Sequence, residues 1–131
     1  MKTRKIWANL GVEDLDRTTK FYSALGLKFN GASKELTSFF VGEDNFIIHF
    51  FLRDVLRSNI KGELADPKNG NEVIFTLSAG SREEVDNWEK EVKKAGGTII
   101  SNAEEFGDEY YGFVFTDPDG HKFNVFYMQG L

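Results

Sequence analysis

His49 and His121 are the only imidazoles among the 131 residues, and the chain has no cysteine. Thiolate nucleophiles, thiolate metal sites and disulfides are therefore excluded. His49 lies in the run Phe46–Leu52, where alternation sets Ile48 and Phe50 on one side and Ile47, His49 and Phe51 on the other. At that place it can serve as a ligand, as a general base or as an ordinary hydrogen-bonding residue of a half-buried strand. His121 follows Asp117-Pro118-Asp119-Gly120 and is expected to be structural or exposed. No serine motif accompanies His49, so a Ser-His-acid triad has no support, and no Gly-Lys-Ser/Thr follows a strand to cradle phosphate. Rings are what the chain has in abundance: 15% of it is aromatic, including 13 Phe. Trp7, Tyr110, Tyr111, Phe113 and Phe126 can fill a core or offer flat surfaces to a planar ligand.

The elements that would position these residues occur twice. Ile6–Val12 reads as a strand, and Asp14 as the N-cap of a helix running to Leu25 with Leu15, Phe21, Tyr22 and Leu25 on one stripe and Gly26 as its stop. Leu27–Asn30, Leu36–Val41 and Phe46–Leu52 follow as strands, the last two joined by a turn at Gly42-Glu43-Asp44-Asn45. Glu72–Ala79 then begins the order again. Ser81 and Glu84 form a capping box that opens a helix with Val85, Trp88, Val92 and Ala95 on its stripe, closed by Gly96-Gly97. Thr98–Ser101, Tyr111–Thr116 and Lys122–Tyr127 complete the second set, with Asp117–Gly120 as a hairpin turn. The helix starts Asp14 and Ser81 are 67 residues apart and the stops Gly26 and Gly96 are 70 apart, which predicts an internal duplication. Module one is residues 1–52 and module two 71–131, with 53–70 a linker carrying a short helix near Asp54–Ile60. Each half alone has a marginal core, so residues 1–131 are expected to act as a single domain.

A formal charge of −5 leaves no basic field for a nucleic acid and favours a neutral or cationic small ligand. No apolar run is long enough to span a membrane, and Lys2, Arg4 and Lys5 are not followed by a signal-peptide core, so a cytoplasmic location is expected. The acidic stretches Glu104-Glu105 and Asp108-Glu109 read either as a solvated loop or as an attractor for a cation.

Val12-Glu-Asp-Leu-Asp-Arg17, Phe21-Tyr22, Leu25-Gly26 and Asp117-Pro118-Asp119-Gly120-His121, together with the doubled element order, resemble the vicinal-oxygen-chelate superfamily of glyoxalases, bleomycin-resistance proteins and extradiol dioxygenases. The resemblance implies an α+β fold of two βαβββ repeats whose mixed sheets form a concave cavity, in a homodimer. Metal-dependent members take one ligand from the first and one from the last strand of each module, positions that fall here on Trp7, Ile74, His49 and Asn124. Only His49 is a good ligand; Trp7 and Ile74 have no lone pair to give, and Asn124 offers a neutral carbonyl oxygen. A shifted register would add Glu72, giving His49, Glu72 and Asn124 as a thin metal set. The preferred expectation is a protein without cofactor or metal that sequesters a small aromatic or cationic molecule. Its cavity would be lined by Trp7, Asn9, His49, Phe51, Ile74, Thr76, Phe113, Asn124 and Phe126. Against it stand a metal-dependent lyase or dioxygenase, and a dimeric scaffold with a filled cavity.

Overall fold

The computed structural model describes residues 1–130. Contacts divide the chain into two units, Met1–Ala65 and the part from Asp66 onward. The first runs β1 (Trp7–Val12), α1 (Leu15–Ala24), β2 (Lys28–Ala32), β3 (Leu36–Val41), β4 (Phe46–Leu52) and α2 (Arg53–Ile60). The second runs β5 (Phe75–Ser78), α3 (Arg82–Ala95), β6 (Thr98–Phe106), β7 (Tyr110–Thr116) and β8 (Lys122–Met128). The sheets have matching orders, β1-β4-β3-β2 and β5-β8-β7-β6, with the first pair parallel and the others antiparallel. These are two βαβββ repeats of an α+β fold.

Local chemistry repeats as well. Asp14 accepts a hydrogen bond from the Arg17 N–H at 3.1 Å, and Ser81 Oγ accepts one from the Glu84 N–H at 3.1 Å, each satisfying an orphan donor of the first helical turn. The Glu84 carboxylate reaches back to the Gly80 N–H at 2.7 Å, one residue before the partner a capping box predicts. Both helices end in the same pair of bonds, Gly26 to Ser23 and Leu27 to Tyr22, Gly96 to Lys93 and Gly97 to Val92. Each pair needs a positive φ, and Gly26 (84°) and Gly96 (98°) supply it.

Each helix covers one face of its own sheet. Phe21 and Tyr22 of α1 are buried together with Phe39, Ile48 and Phe50, Tyr22 meeting Phe39 and stacking on Phe50 at 4.5 Å between centroids. In the second unit Val85 and Val92 of α3 are buried with Phe113, Phe115, Phe123 and Val125, and the Phe115 and Phe123 rings stack within 7° of parallel. Six of the 13 Phe thus belong to these cores, which accounts for much of the aromatic content.

Several expectations need correction. Residues 53–70, read as a linker with a short helix near Asp54–Ile60, do carry that helix as α2, but residues 53–65 fold with the first unit, where Leu56 is buried. β5 starts at Phe75 and not at Glu72, because the Asn71 amide holds the preceding segment through the carbonyls of Pro67 and Gly120 and the first ladder pair is Phe75 with Phe123. β6 continues past Ser101 to Phe106, so Glu104 and Glu105 are strand residues and not loop. Side chains of α3 secure that extension: Glu89 accepts from the Ala103 N–H at 2.7 Å, and Arg82 pairs with Glu105. Among the described residues no helix is long and apolar enough to cross a membrane.

Tyr111 ties β7 to α3. Its hydroxyl donates to Asp86 Oδ1 at 2.6 Å, and the Arg82 guanidinium lies over its ring. That hydrogen bond, with burial and the negative charges of Asp86 and Glu89 behind it, pushes the phenol above its ordinary value of 10.0. A folded value above the unfolded one means the contribution is complete below about pH 10 and is lost as the pH rises through the folded value. The melting temperature of the native chain is therefore expected to fall more steeply above about pH 10 than that of Tyr111→Phe, with the variant the less stable of the two at neutral pH; parallel curves would show that the bond contributes nothing.

Candidate functional site

In each unit the sheet face opposite its helix carries the polar and aromatic residues that could meet a ligand. On the first, register places Asn9, His49 and Ser38 side by side across β1, β4 and β3. Trp7 and Phe51 flank the imidazole edge-on, with centroids 6.2 Å and 6.1 Å away. Trp7 is 51% exposed, a large apolar plate left open, and Asn9 is exposed beside it. Beneath the imidazole, Ser38 is buried at 3% exposure; its Oγ lies 2.8 Å from His49 Nδ1 and accepts from Asn30 Nδ2 at 3.0 Å.

Asn30 reaches Ser38 because β2 bulges there. Phe29 pairs with Phe39 and Gly31 with Ser38, so Asn30 is the extra residue between two consecutive ladder pairs, and Gly31 takes φ 120° to close the irregularity. Such a bulge re-aims a side chain that regular alternation would place elsewhere.

The second unit builds the same row from different residues. Thr76, Asn124, Val114 and Ser101 stand where Asn9, His49, Ser38 and Gly31 stand in the first, and Ile100 is the bulge residue, 53% exposed. Asn124 Nδ2 donates to Thr76 Oγ1 at 3.3 Å. Phe126 sits on this face between Phe106 (5.5 Å) and Tyr110 (6.3 Å), over Gly112, whose missing side chain leaves the ring its place.

Within the first unit, then, Trp7, Asn9, His49 and Phe51 share one face. Within the second, Thr76, Asn124 and Phe126 share one. Two residues expected among them lie elsewhere. Phe113 is wholly buried on the opposite, helix-covered face against Phe115, since its ladder partner is Val125 and not Asn124. Ile74 precedes β5 and is 44% exposed outside the ladder. Ser38, Asn30 and Phe106 enter the sites without having been expected there, and Tyr110, which could have been core or ligand surface, lies on the open face. Asn30-Gly31 was the available hint of a bulge, whereas Leu36-Thr-Ser-Phe-Phe-Val41 has no alternation from which the face of Ser38 could be read. His121 is buried at the hairpin, its N–H donating to Asp117 Oδ1 at 2.9 Å.

The chain belongs to the glyoxalase/bleomycin resistance protein/dioxygenase superfamily, whose family model matches residues 6–125. It is similar to the solved structure of a hypothetical protein from S. aureus, with 29% identity and a TM-score of 0.86 over 97% of this chain and 95% of that one. It also shares its fold with a lactoylglutathione lyase from Agrobacterium tumefaciens (20% identity, TM-score 0.71, 96% and 95% covered). A third likeness is to a genomically encoded fosfomycin resistance protein from Listeria monocytogenes, solved with Mn(II) and sulfate (18%, 0.72, 99% and 94%). No curated protein matches the sequence.

A divalent ion of the kind the superfamily can hold needs lone pairs, preferably anionic ones. Trp7 has only an N–H to offer, Ile74 nothing, and Asn124 a neutral amide oxygen. Glu72, the residue a shifted register would recruit, is exposed at a bend before β5. His49 is the single strong donor at these positions, and Ser38 already engages its Nδ1. Among the described residues no group of three or more His, Cys, Asp or Glu is placed to hold a metal ion. The residues at the superfamily's ligand positions do not fit the ion.

Proposed function

We propose that this protein is a metal-free, homodimeric binding protein that sequesters a small aromatic or cationic molecule on its open sheet faces. The observation that carries the reading is the half-exposed Trp7 indole beside His49 and Phe51, a flat apolar surface with hydrogen-bonding groups at its edge. Phe126 with Phe106 and Tyr110 offers a second such surface. Ring contact supplies the affinity, Asn9, Thr76, His49 and Asn124 orient the guest, and the formal charge of −5 favours a cation over an anion.

Trp7 and Trp88 are the two tryptophans, Trp7 on the open face of the first unit and Trp88 on α3 of the second. In Trp88→Phe, Trp7 becomes the sole reporter. Titration with proflavine, a planar aromatic cation, is expected to quench its emission saturably and to raise the melting temperature as a ligand selective for the folded form must. Replacing Trp7 by Ala should weaken proflavine binding about tenfold, followed through the fluorescence of the dye. Elemental analysis after native purification, lyase and dioxygenase assays with added Ni²⁺, Zn²⁺, Fe²⁺ or Mn²⁺, and light scattering complete the test. A stoichiometric ion with turnover overturns the reading in favour of the metal-dependent enzyme, no saturable response favours the filled scaffold, and a monomer removes the dimer.

A further inference from the structure

Asn30, Ser38 and His49 form a relay whose protons can be followed one by one. A serine hydroxyl has a single proton to donate. Ser38 Oγ has two acceptor positions, and Asn30 Nδ2, donating at 3.0 Å, fills one; an amide nitrogen cannot take the hydroxyl proton, so the acceptor within reach of that proton is His49 Nδ1, 2.8 Å away. At 3% exposure Ser38 is shielded from water that would compete for that proton. With the hydroxyl donating, Nδ1 carries the lone pair, and in a neutral imidazole the ring proton sits on Nε2.

We propose that the Asn30–Ser38 pair locks His49 as an Nε2–H donor, so that the first unit's face selects planar ligands presenting a hydrogen-bond acceptor, a carbonyl oxygen or a ring nitrogen, to the imidazole. Asn30 and Ser38 are positioning residues; His49 touches the ligand. The other polar head of the aromatic group points to the same preference, because the Trp7 indole nitrogen can only donate. The lock is confined to the first unit: the second has Val114 in place of Ser38 and Ile100 in place of Asn30, so the duplicated fold carries two unlike faces. It also opposes metal binding, since coordination through Nε2 would require the proton to move to Nδ1 and the relay to reverse. The ligand preference rests on the binding reading above; the tautomer does not.

Long-range ¹H–¹⁵N spectra of the imidazole side chains, with His49→Asn to separate His49 from His121, read the tautomer without any ligand. The expected result is a pyridine-like Nδ1 and a pyrrole-like Nε2 in the native chain, moving toward an averaged pair in Ser38→Ala. Affinities for quinoline, naphthalene and N-methylquinolinium are then measured in both proteins. Quinoline and naphthalene differ by one ring atom, and N-methylquinolinium keeps the ring system while losing the acceptor. The quinoline-to-naphthalene affinity ratio is expected to fall about fivefold in Ser38→Ala, the scale of one hydrogen bond. If Ser38→Ala does not fold, Asn30→Ala, at an exposed position of the edge strand β2, carries the same comparison. A pyrrole-like Nδ1 in the native chain overturns the lock, and an unchanged ratio with the tautomer altered overturns the ligand preference. If none of the three probes binds while Nδ1 is pyridine-like, the binding reading falls and the preference with it, and the tautomer assignment stands.

Discussion

Replacing Phe113 by Ala is expected to cost about 3 to 5 kcal/mol of folding stability, the largest loss of any single change considered. The ring is wholly buried, stacked on Phe115 at 5.7 Å, and part of the layer that Val85 and Val92 of α3 complete. Removing it takes away the transfer free energy of an aromatic side chain and leaves a cavity that neighbours as rigid as Phe115 and Phe123 cannot collapse into. Urea denaturation should show a lower midpoint with an unchanged slope. Phe126→Ala, two positions past Asn124 on the open face, makes the contrast: its ring is only half-buried, so its loss should cost less than about 2 kcal/mol and act on ligand affinity instead. Equal destabilisation by the two would mean that Phe113 and Phe126 do not occupy different faces.

Gly112→Ala is expected to be nearly as severe, about 3 kcal/mol, for the opposite reason. A Cβ at this position falls inside hard-sphere contact with Phe126 Cδ1 and with the Val125 carbonyl oxygen. The ring can swing aside, at the expense of its contacts with Phe106 and Tyr110, but the carbonyl belongs to the β7–β8 ladder and cannot yield without disturbing it. The double variant Gly112→Ala/Phe126→Ala separates the two terms: relative to Phe126→Ala, the added cost should drop to roughly half, the remainder being the backbone contact. If Gly112→Ala is neutral, the close approach of Phe126 to β7 is wrong.

The residues that sequence reasoning located well are those whose signals are local. Asp14 and Ser81 cap their helices because a short oxygen-bearing side chain reaches the next turn wherever it is placed, and Gly26 and Gly96 stop them because few other residues accept the positive φ there. Leu36–Val41 and Phe46–Leu52 begin and end as expected, since a well-formed turn separates them. The errors share a different cause. Glu72–Ile74 have strand-like composition, yet pairing cannot begin until β8 emerges from the Asp117–Gly120 turn. Glu104 and Glu105 have loop-like composition, yet Glu89 and Arg82 of α3 hold them in β6.

The candidate sites follow the same division. Trp7, Asn9, His49 and Phe51 were readable as one face because β1 and β4 alternate cleanly. Phe113 was misplaced because Tyr110–Phe115 is aromatic on both faces and offers no polar residue to set its phase.

By itself the sequence determined the two capped helices and the hairpin turns, each written in residues within a few positions of one another, and the duplication and superfamily, which are those local signals recurring in the same order along the chain. Only the tertiary structure decided that Asn30 leaves the regular ladder to reach Ser38, that Ser38 engages His49, and that Phe113 turns from the open face to the core. Those outcomes depend on strand register, which is fixed by partners tens of residues away, and a slip of one residue reverses every side chain.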